Sequence, residues 1–156
     1  MCGGDAEMVV RNRGGERVIQ AQDFFMAPSV DITRMTVLEP TDFLTGIRLL
    51  NTWSGASFYF EKVADRNVWD FPLVNVAAAF RMDAQTVADA RIVCGAVQCT
   101  PRRVEEAERL VRGQSRSEQV AESAAAVAIE GAEPLNYNHF KILLMRNLVK
   151  RAIRGV

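Results

Sequence analysis

The chain has 156 residues, 49% of them hydrophobic, which suits one domain or two small ones around a real core. Its 19 Lys and Arg balance 19 Asp and Glu, so no strong field draws it to nucleic acid or to an acidic membrane surface. The apolar stretches are too short to cross a bilayer, and MCGGDAEMVV lacks a basic region followed by a greasy core, so a soluble cytoplasmic protein is expected.

Taken in chain order, AEMVV (6–10) and GERVIQA (15–21) flank RNRGG, whose adjacent glycines can take positive φ, so a β-hairpin is predicted. LEPTDF (38–43) offers Pro40 and Asp42 for a turn, and TGIRLL (45–50) puts Ile47 and Leu49 on one side of a strand. NTWSGAS reads as a linker. In SFYFEKV, Phe58 and Phe60 alternate with Tyr59 and Glu61, the period of a half-buried strand. LVNVAAAFRM (73–82) and TVADARIVCGAVQ (86–98) follow as two strands joined by a tight DAQ turn, completing a meander of three. Ala77, Ala78, Ala79, Gly95 and Ala96 give that sheet a face without bulk, on which something must pack closely.

Helices come next. Thr100 can cap and Pro101 can open a helix that carries Val104, Ala107, Leu110 and Val111 on one face and ends at Gly113. Ser117 can cap a second through SEQVAESAAAVAIEGA, interrupted by Pro134. NHFKILLMRNLVKRAIRG (138–155) forms the third, with Phe140, Leu143, Leu144, Leu148 and Ile153 expected inward and five Lys or Arg elsewhere. Strands followed by helices predict a segregated α+β layer: a β-rich N-terminal piece, then a three-stranded antiparallel sheet on a three-helix bundle.

Motifs for chemistry are sparse. The glycine pairs at 3–4 and 14–15 lack the GxGxxG or GxxxxGK spacing that aims backbone amides at phosphates and read as turns. Glu105, Glu106 and Glu108 lie on an amphipathic helix and are expected to be solvated, while His139 has no positioned partner for general base work. Cys2, Cys94 and Cys99 form an odd set without CxxC and suit neither a disulfide framework nor a zinc site; reduced, partly buried thiols are expected. Lys62 stands out in degree, at the end of an aromatic strand and beside a loop, where a cation could meet an anionic or electron-rich ligand.

The order DAEMVVRNRGGERVIQAQDFF, LEPTDFLTGIRL, FYFEKVADRNVWDFPLVNVAAAF and VADARIVCGAVQCTPRRVEEAERLVRG resembles the FAD-binding medium subunit of the molybdenum hydroxylases. That family includes aerobic carbon monoxide dehydrogenase and the xanthine dehydrogenases. The resemblance implies that residues 1–52 are the end of an FAD-binding domain and that 53–156 are the flavoprotein C-terminal domain. It implies FAD as cofactor, passing electrons between iron–sulfur clusters and an acceptor, and molybdopterin and iron–sulfur subunits as partners. Three residues carry over: Leu44 in LTGIRL as a leucine packed on the flavin, Lys62 in FYFEKVADR as a lysine near it, and Phe60 where some members have a tyrosine beside the ring. The AGGT- and GGN-type loops that cradle the pyrophosphate in such proteins have no counterpart in the sequence, so the chain alone should bind FAD weakly or not at all. Strand edges and apolar side chains such as Phe24, Phe25 and Ile47 would then be uncovered, which predicts a homodimer. The alternative is a stand-alone α+β interaction module without cofactor or catalysis.

Overall fold

A computed structural model describes residues 5–156. The hairpin forms as the sequence predicts: β1 (Glu7–Asn12) and β2 (Gly15–Gln20) pair antiparallel around Arg13 and Gly14, with Gly15 at positive φ. β3 (Phe43–Arg48) joins on the other side of β1, giving the order β2-β1-β3 with open edges at β2 and β3. Met8 and Val10, two residues apart on one face of β1, close a small core with Phe24, and Ile19, Phe25 and Leu38 pack against it. Phe24, expected to be uncovered, is therefore buried beneath the hairpin, whereas Ile47 is half-exposed.

The turn before β3 is held by one carboxylate. Asp42 accepts hydrogen bonds from Asn12 Nδ2 (2.8 Å), the Glu39 amide (2.8 Å) and the Arg17 guanidinium (2.5 Å). The turn lies at the surface, yet these donors wrap the carboxylate completely. The Arg17 hydrogen bond, followed by that of the Glu39 amide, lowers the Asp42 carboxyl from 3.8 to about 2. A depressed carboxylate stabilises the fold above its unfolded pKa of about 4, and that contribution is lost as pH falls through about 2. Asp42→Asn should therefore melt lower than wild type at pH 6, with the gap closing towards pH 2. Thermal melts across that window check this, and a gap independent of pH would refute it.

The second sheet runs β4 (Ser57–Val63), β5 (Val74–Asp83), β6 (Thr86–Gly95) and a two-residue β7 (Arg102–Arg103), all antiparallel and in that order. Three helices, α1 (Glu105–Val111), α2 (Glu118–Ala128) and α3 (Phe140–Arg154), cover one face, so the fold is α+β with two sheets of three and four strands. Val74, Val76, Ala78 and Phe80 of β5 alternate inward with Ala90, Ile92 and Cys94 of β6. Alanines at 121, 124, 125 and 128 let α2 approach closely, and Met145, Leu148, Val149, Ala152 and Ile153 form the buried stripe of α3. Strand alternation splits the predicted alanine face. Ala78 points into this core, and Ala77 and Ala79 belong to the opposite side.

Several elements depart from expectation. The first helix begins at Glu105, not Pro101, because Arg102 and Arg103 pair with Cys94 and Val93 as the fourth strand and the Val104 amide still donates to Ile92 O (2.9 Å). Glu108, expected in solvent, is 1% exposed, and its carboxylate accepts from the Ile92 amide (2.9 Å) and from Arg103 Nε and Nη2 (3.0 and 2.7 Å). Leu110 on α1 and Phe140 and Leu143 on α3 face outward instead of inward, since the buried stripes run through Ala107 and Val111 and through Met145, Leu148 and Ala152. Ser117 caps α2 through the Val120 amide, and α2 stops at Ala128, ahead of Pro134. The cations of α3 are not idle: Lys150 binds Glu118 and Glu122, Arg146 binds Glu122 and Arg154 binds Glu118, lacing α3 to α2.

NTWSGAS is more than a linker. Trp53 sits in a short 3-10 turn (Asn51–Trp53), 4% exposed, and donates from Nε1 to Asp5 Oδ2 (2.9 Å). The Arg81 and Arg91 guanidinium groups lie 5.7 and 5.8 Å from its ring centroid, and Arg91 also pairs with Asp5 (2.5 Å). Ala79 is paired with Arg91 and two residues from Arg81, which places it on the same sheet face; it is buried there. The first sheet is thus fastened to one end of the second sheet's helix-free face.

Candidate functional site

That helix-free face is exposed along β4, which forms its edge, while Val93 of β6 on the same face is buried. Phe58, Phe60 and Lys62 alternate outward along β4, opposite Ala79, Ala77 and Asn75 of β5. Phe60 is 68% exposed and Phe58 nearly as much, a large apolar expanse for a strand edge. The inner side of the strand is occupied differently. Tyr59 donates to Glu61, which also accepts from Arg151 Nη1 of α3 (2.7 Å), so β4 is anchored to the bundle by the residues between the phenylalanines. Burial, then the Glu61 carboxylate, pushes the Tyr59 hydroxyl up to about 12, so it remains a donor at neutral pH.

Lys62 reaches along the surface rather than straight out. Its Nζ donates to Asp70 O (2.8 Å) in the loop between β4 and β5. Arg66 Nε pairs with the Asp70 carboxylate (3.2 Å), which this hydrogen bond holds below its ordinary range. The loop so pinned presents Val68, Trp69 and Phe71 to solvent. Behind it, Gly95 faces Asn75, where an added Cβ would fall 2.3 Å from Asn75 Oδ1, so the absence of bulk predicted for Gly95 is a real close approach.

The structure brings Phe60 and Lys62 together on one outward face and leaves Leu44 on β3 of the other sheet, 41% exposed. A cavity of about 970 Å3 beside β3 is lined by Arg11, Arg13, Pro40, Phe43 and Thr45, and Leu44 is not part of its wall. Sequence reasoning missed the anchoring pair Tyr59–Glu61 and the Asp70 carbonyl that receives Lys62. The Tyr/Glu alternation carried the first signal; the second depends on loop geometry.

The other chemical candidates fall away. His139 is exposed at the start of α3 and makes no side-chain cap. Cys94 is buried, and desolvation pushes its thiol up to about 12, so it behaves as a small hydrophobe; Cys99 is exposed, and Cys2 lies outside the described residues. No cluster of three metal-binding side chains occurs among the described residues, nor any helix long and apolar enough to cross a membrane.

Comparison with known proteins places this geometry in context. The nicotine 6-hydroxylase medium subunit of Paenarthrobacter nicotinovorans is 27% identical over 154 residues, covering 92% of this chain and 50% of that protein. Quinoline 2-oxidoreductase from Pseudomonas putida 86 superposes with a TM-score of 0.85 at 25% identity, over 99% of this chain and 53% of the other. Carbon monoxide dehydrogenase from Hydrogenophaga pseudoflava gives 0.86 at 27% identity, over 97% and 52%. The chain spans about half the length of each of these relatives. Residues 59–156, from Tyr59 on β4 through the helical bundle, match the CO dehydrogenase flavoprotein C-terminal domain, and the chain belongs to that family.

Proposed function

We propose that this chain forms one wall of the flavin site in a molybdenum hydroxylase-type oxidoreductase, as part of its FAD-binding subunit. Residues 1–52 then belong to the FAD-binding domain and 53–156 to the C-terminal domain. The reading rests chiefly on the outward face of β4, where an exposed aromatic ring and a cation stand two residues apart in a chain of this family. Phe60 offers a flat apolar surface and Lys62 a positive charge, a pairing suited to a planar, electron-rich ring. Leu44 borders the same ligand from the first sheet.

The fit extends to the ring and not to the pyrophosphate. Two phosphates need a nest of successive backbone amides, and the Gly14–Gly15 pair is committed to the β1–β2 turn. The other half of the flavoprotein, on the same polypeptide or another, must supply that cradle. FAD, once held, carries electrons between iron–sulfur clusters and an acceptor, which makes molybdopterin and iron–sulfur subunits the partners.

Fluorescence titration tests this reading. The 156-residue chain alone should leave FAD unquenched at low micromolar concentration, and quenching should appear when the glycine-loop half is added. In that assembly Phe60→Ala and Lys62→Ala should each weaken FAD by about tenfold. Tight binding by the chain alone, or unchanged affinity in both variants, would overturn the assignment.

A second reading draws on the open edges of β2 and β3, where Val18, Phe43 and Ile47 are exposed: an α+β interaction module that pairs with its own copy through the first sheet. Sedimentation that stays monomeric at high concentration would end it.

A further inference from the structure

On the far side of the molecule from β4, between β7 and the start of α3, lies a cavity of about 460 Å3. Its polar wall is made by Arg102, Lys141, Gln98 and Asn138, with Glu133 as the single carboxylate; Val97, Ile142 and Met145 supply an apolar floor. Two of these groups lack partners. Arg102 is half-buried, yet its guanidinium makes no hydrogen bond or ion pair among the described residues, in a chain whose arginines are otherwise widely paired. Asn138 Oδ1 is fully buried with no hydrogen-bond partner among the described residues, and Asn138 lines the cavity.

Each vacancy has an explanation in ordinary protein chemistry. Buried amide atoms are almost always satisfied, so an orphan on a cavity wall is met by whatever fills the cavity. A guanidinium presents a planar fork matched to carboxylate and phosphate oxygens, and the Arg102 backbone that carries it is set by pairing with Cys94 in the sheet. Lys141 is held in place by donating from Nζ to Ala96 O (2.8 Å), which leaves two of its ammonium protons for a ligand. The size lies within the range of small-molecule sites.

We infer that this cavity binds a small organic oxyanion, with its carboxylate or phosphoryl head on Arg102, Lys141 and the Asn138 amide and a short apolar body over Val97, Ile142 and Met145. The site is separate from β4, and the inference does not depend on the flavin reading.

The test uses the 15N-labelled 156-residue chain titrated with butyrate, with butyl phosphate and with inorganic phosphate. Saturable shifts of the Asn138 side-chain amide and the Arg102 Nε signal are expected with at least one organic anion, at higher affinity than for inorganic phosphate. Arg102→Gln should weaken that binding by about tenfold or more and Asn138→Ala by several-fold. Neither side chain supports the fold by a hydrogen bond, so both variants should keep the wild-type circular dichroism spectrum. Equal affinity of inorganic phosphate and its butyl ester would overturn the organic part of the proposal. No saturation up to about 20 mM, or unaltered binding in Arg102→Gln, would overturn it altogether.

Discussion

Replacing Glu108 with alanine is expected to destabilise the chain by about 3–5 kcal/mol, the cost of breaking a buried ion pair by removing one partner. The carboxylate binds the Ile92 amide in the middle of β6 and both Nε and Nη2 of Arg103, and it lies 1% exposed at the junction of sheet and helix. Deleting it leaves a strand amide without an acceptor and a guanidinium in a partly dry site. For a chain of this length the expected fall in Tm is roughly 10 °C. Glu108→Gln, which keeps an acceptor for Ile92 but loses the charge, should lose less. Calorimetric melting distinguishes them; an alanine variant that melts within about 2 °C of wild type would show that the pair is a bystander.

Trp53→Ala should have an effect of similar size, about 3–5 kcal/mol from the lost burial and cavity, but with a different character. Trp53 holds the first sheet to the second through Asp5, Arg81 and Arg91, so its removal should uncouple the two before either unfolds. Two thermal transitions in place of one, and faster tryptic cleavage at Arg48, are the expected signs. Trp53→Phe retains a ring for the two guanidinium groups and loses the bond to Asp5, so it should fall between. A single cooperative melt in Trp53→Ala would show that the sheets are joined by something else. The variant also bears on the proposed function, because this joint holds the sheet that carries Leu44 against the sheet that carries Phe60 and Lys62.

Much of the architecture was legible in local pattern. Period-two alternation located β4, the tight DAQ turn marked where β5 passes into β6, the glycine pair located the hairpin, and Ser117 marked the start of α2, because each of those signals acts within a few residues. The failures share a cause. Glu108 sits in EEAER, which reads as a solvated face; only the Ile92 amide, 16 residues earlier, explains its burial. Thr100 and Pro101 carry the local marks of a helix start, but β6 has an open edge and Arg102 and Arg103 pair with it first. Phe140 and Leu143 are apolar and point outward because α3 turns its small and aliphatic residues to the sheet. Trp53 was hidden among Gly and Ser in a stretch with no period at all. Of the proposed site, the resemblance named Leu44, Phe60 and Lys62, and the strand pattern put the last two on one side. The pinning of Lys62 by Asp70 and the unpartnered Arg102 were beyond any local signal, since both depend on which loops meet.

The division of labour along β4 has a wider meaning. Odd positions, Tyr59 and Glu61, belong to the scaffold; of the even positions, Phe58 and Phe60 owe it little and Lys62 touches only the neighbouring loop through Asp70 O. Mutation can therefore exchange one aromatic for another at position 60, or move a charge, without asking the helices to repack. At the proposed flavin site, such exchanges would retune what the ring meets, and with it the ease of accepting or releasing electrons, while the folded frame is inherited unchanged.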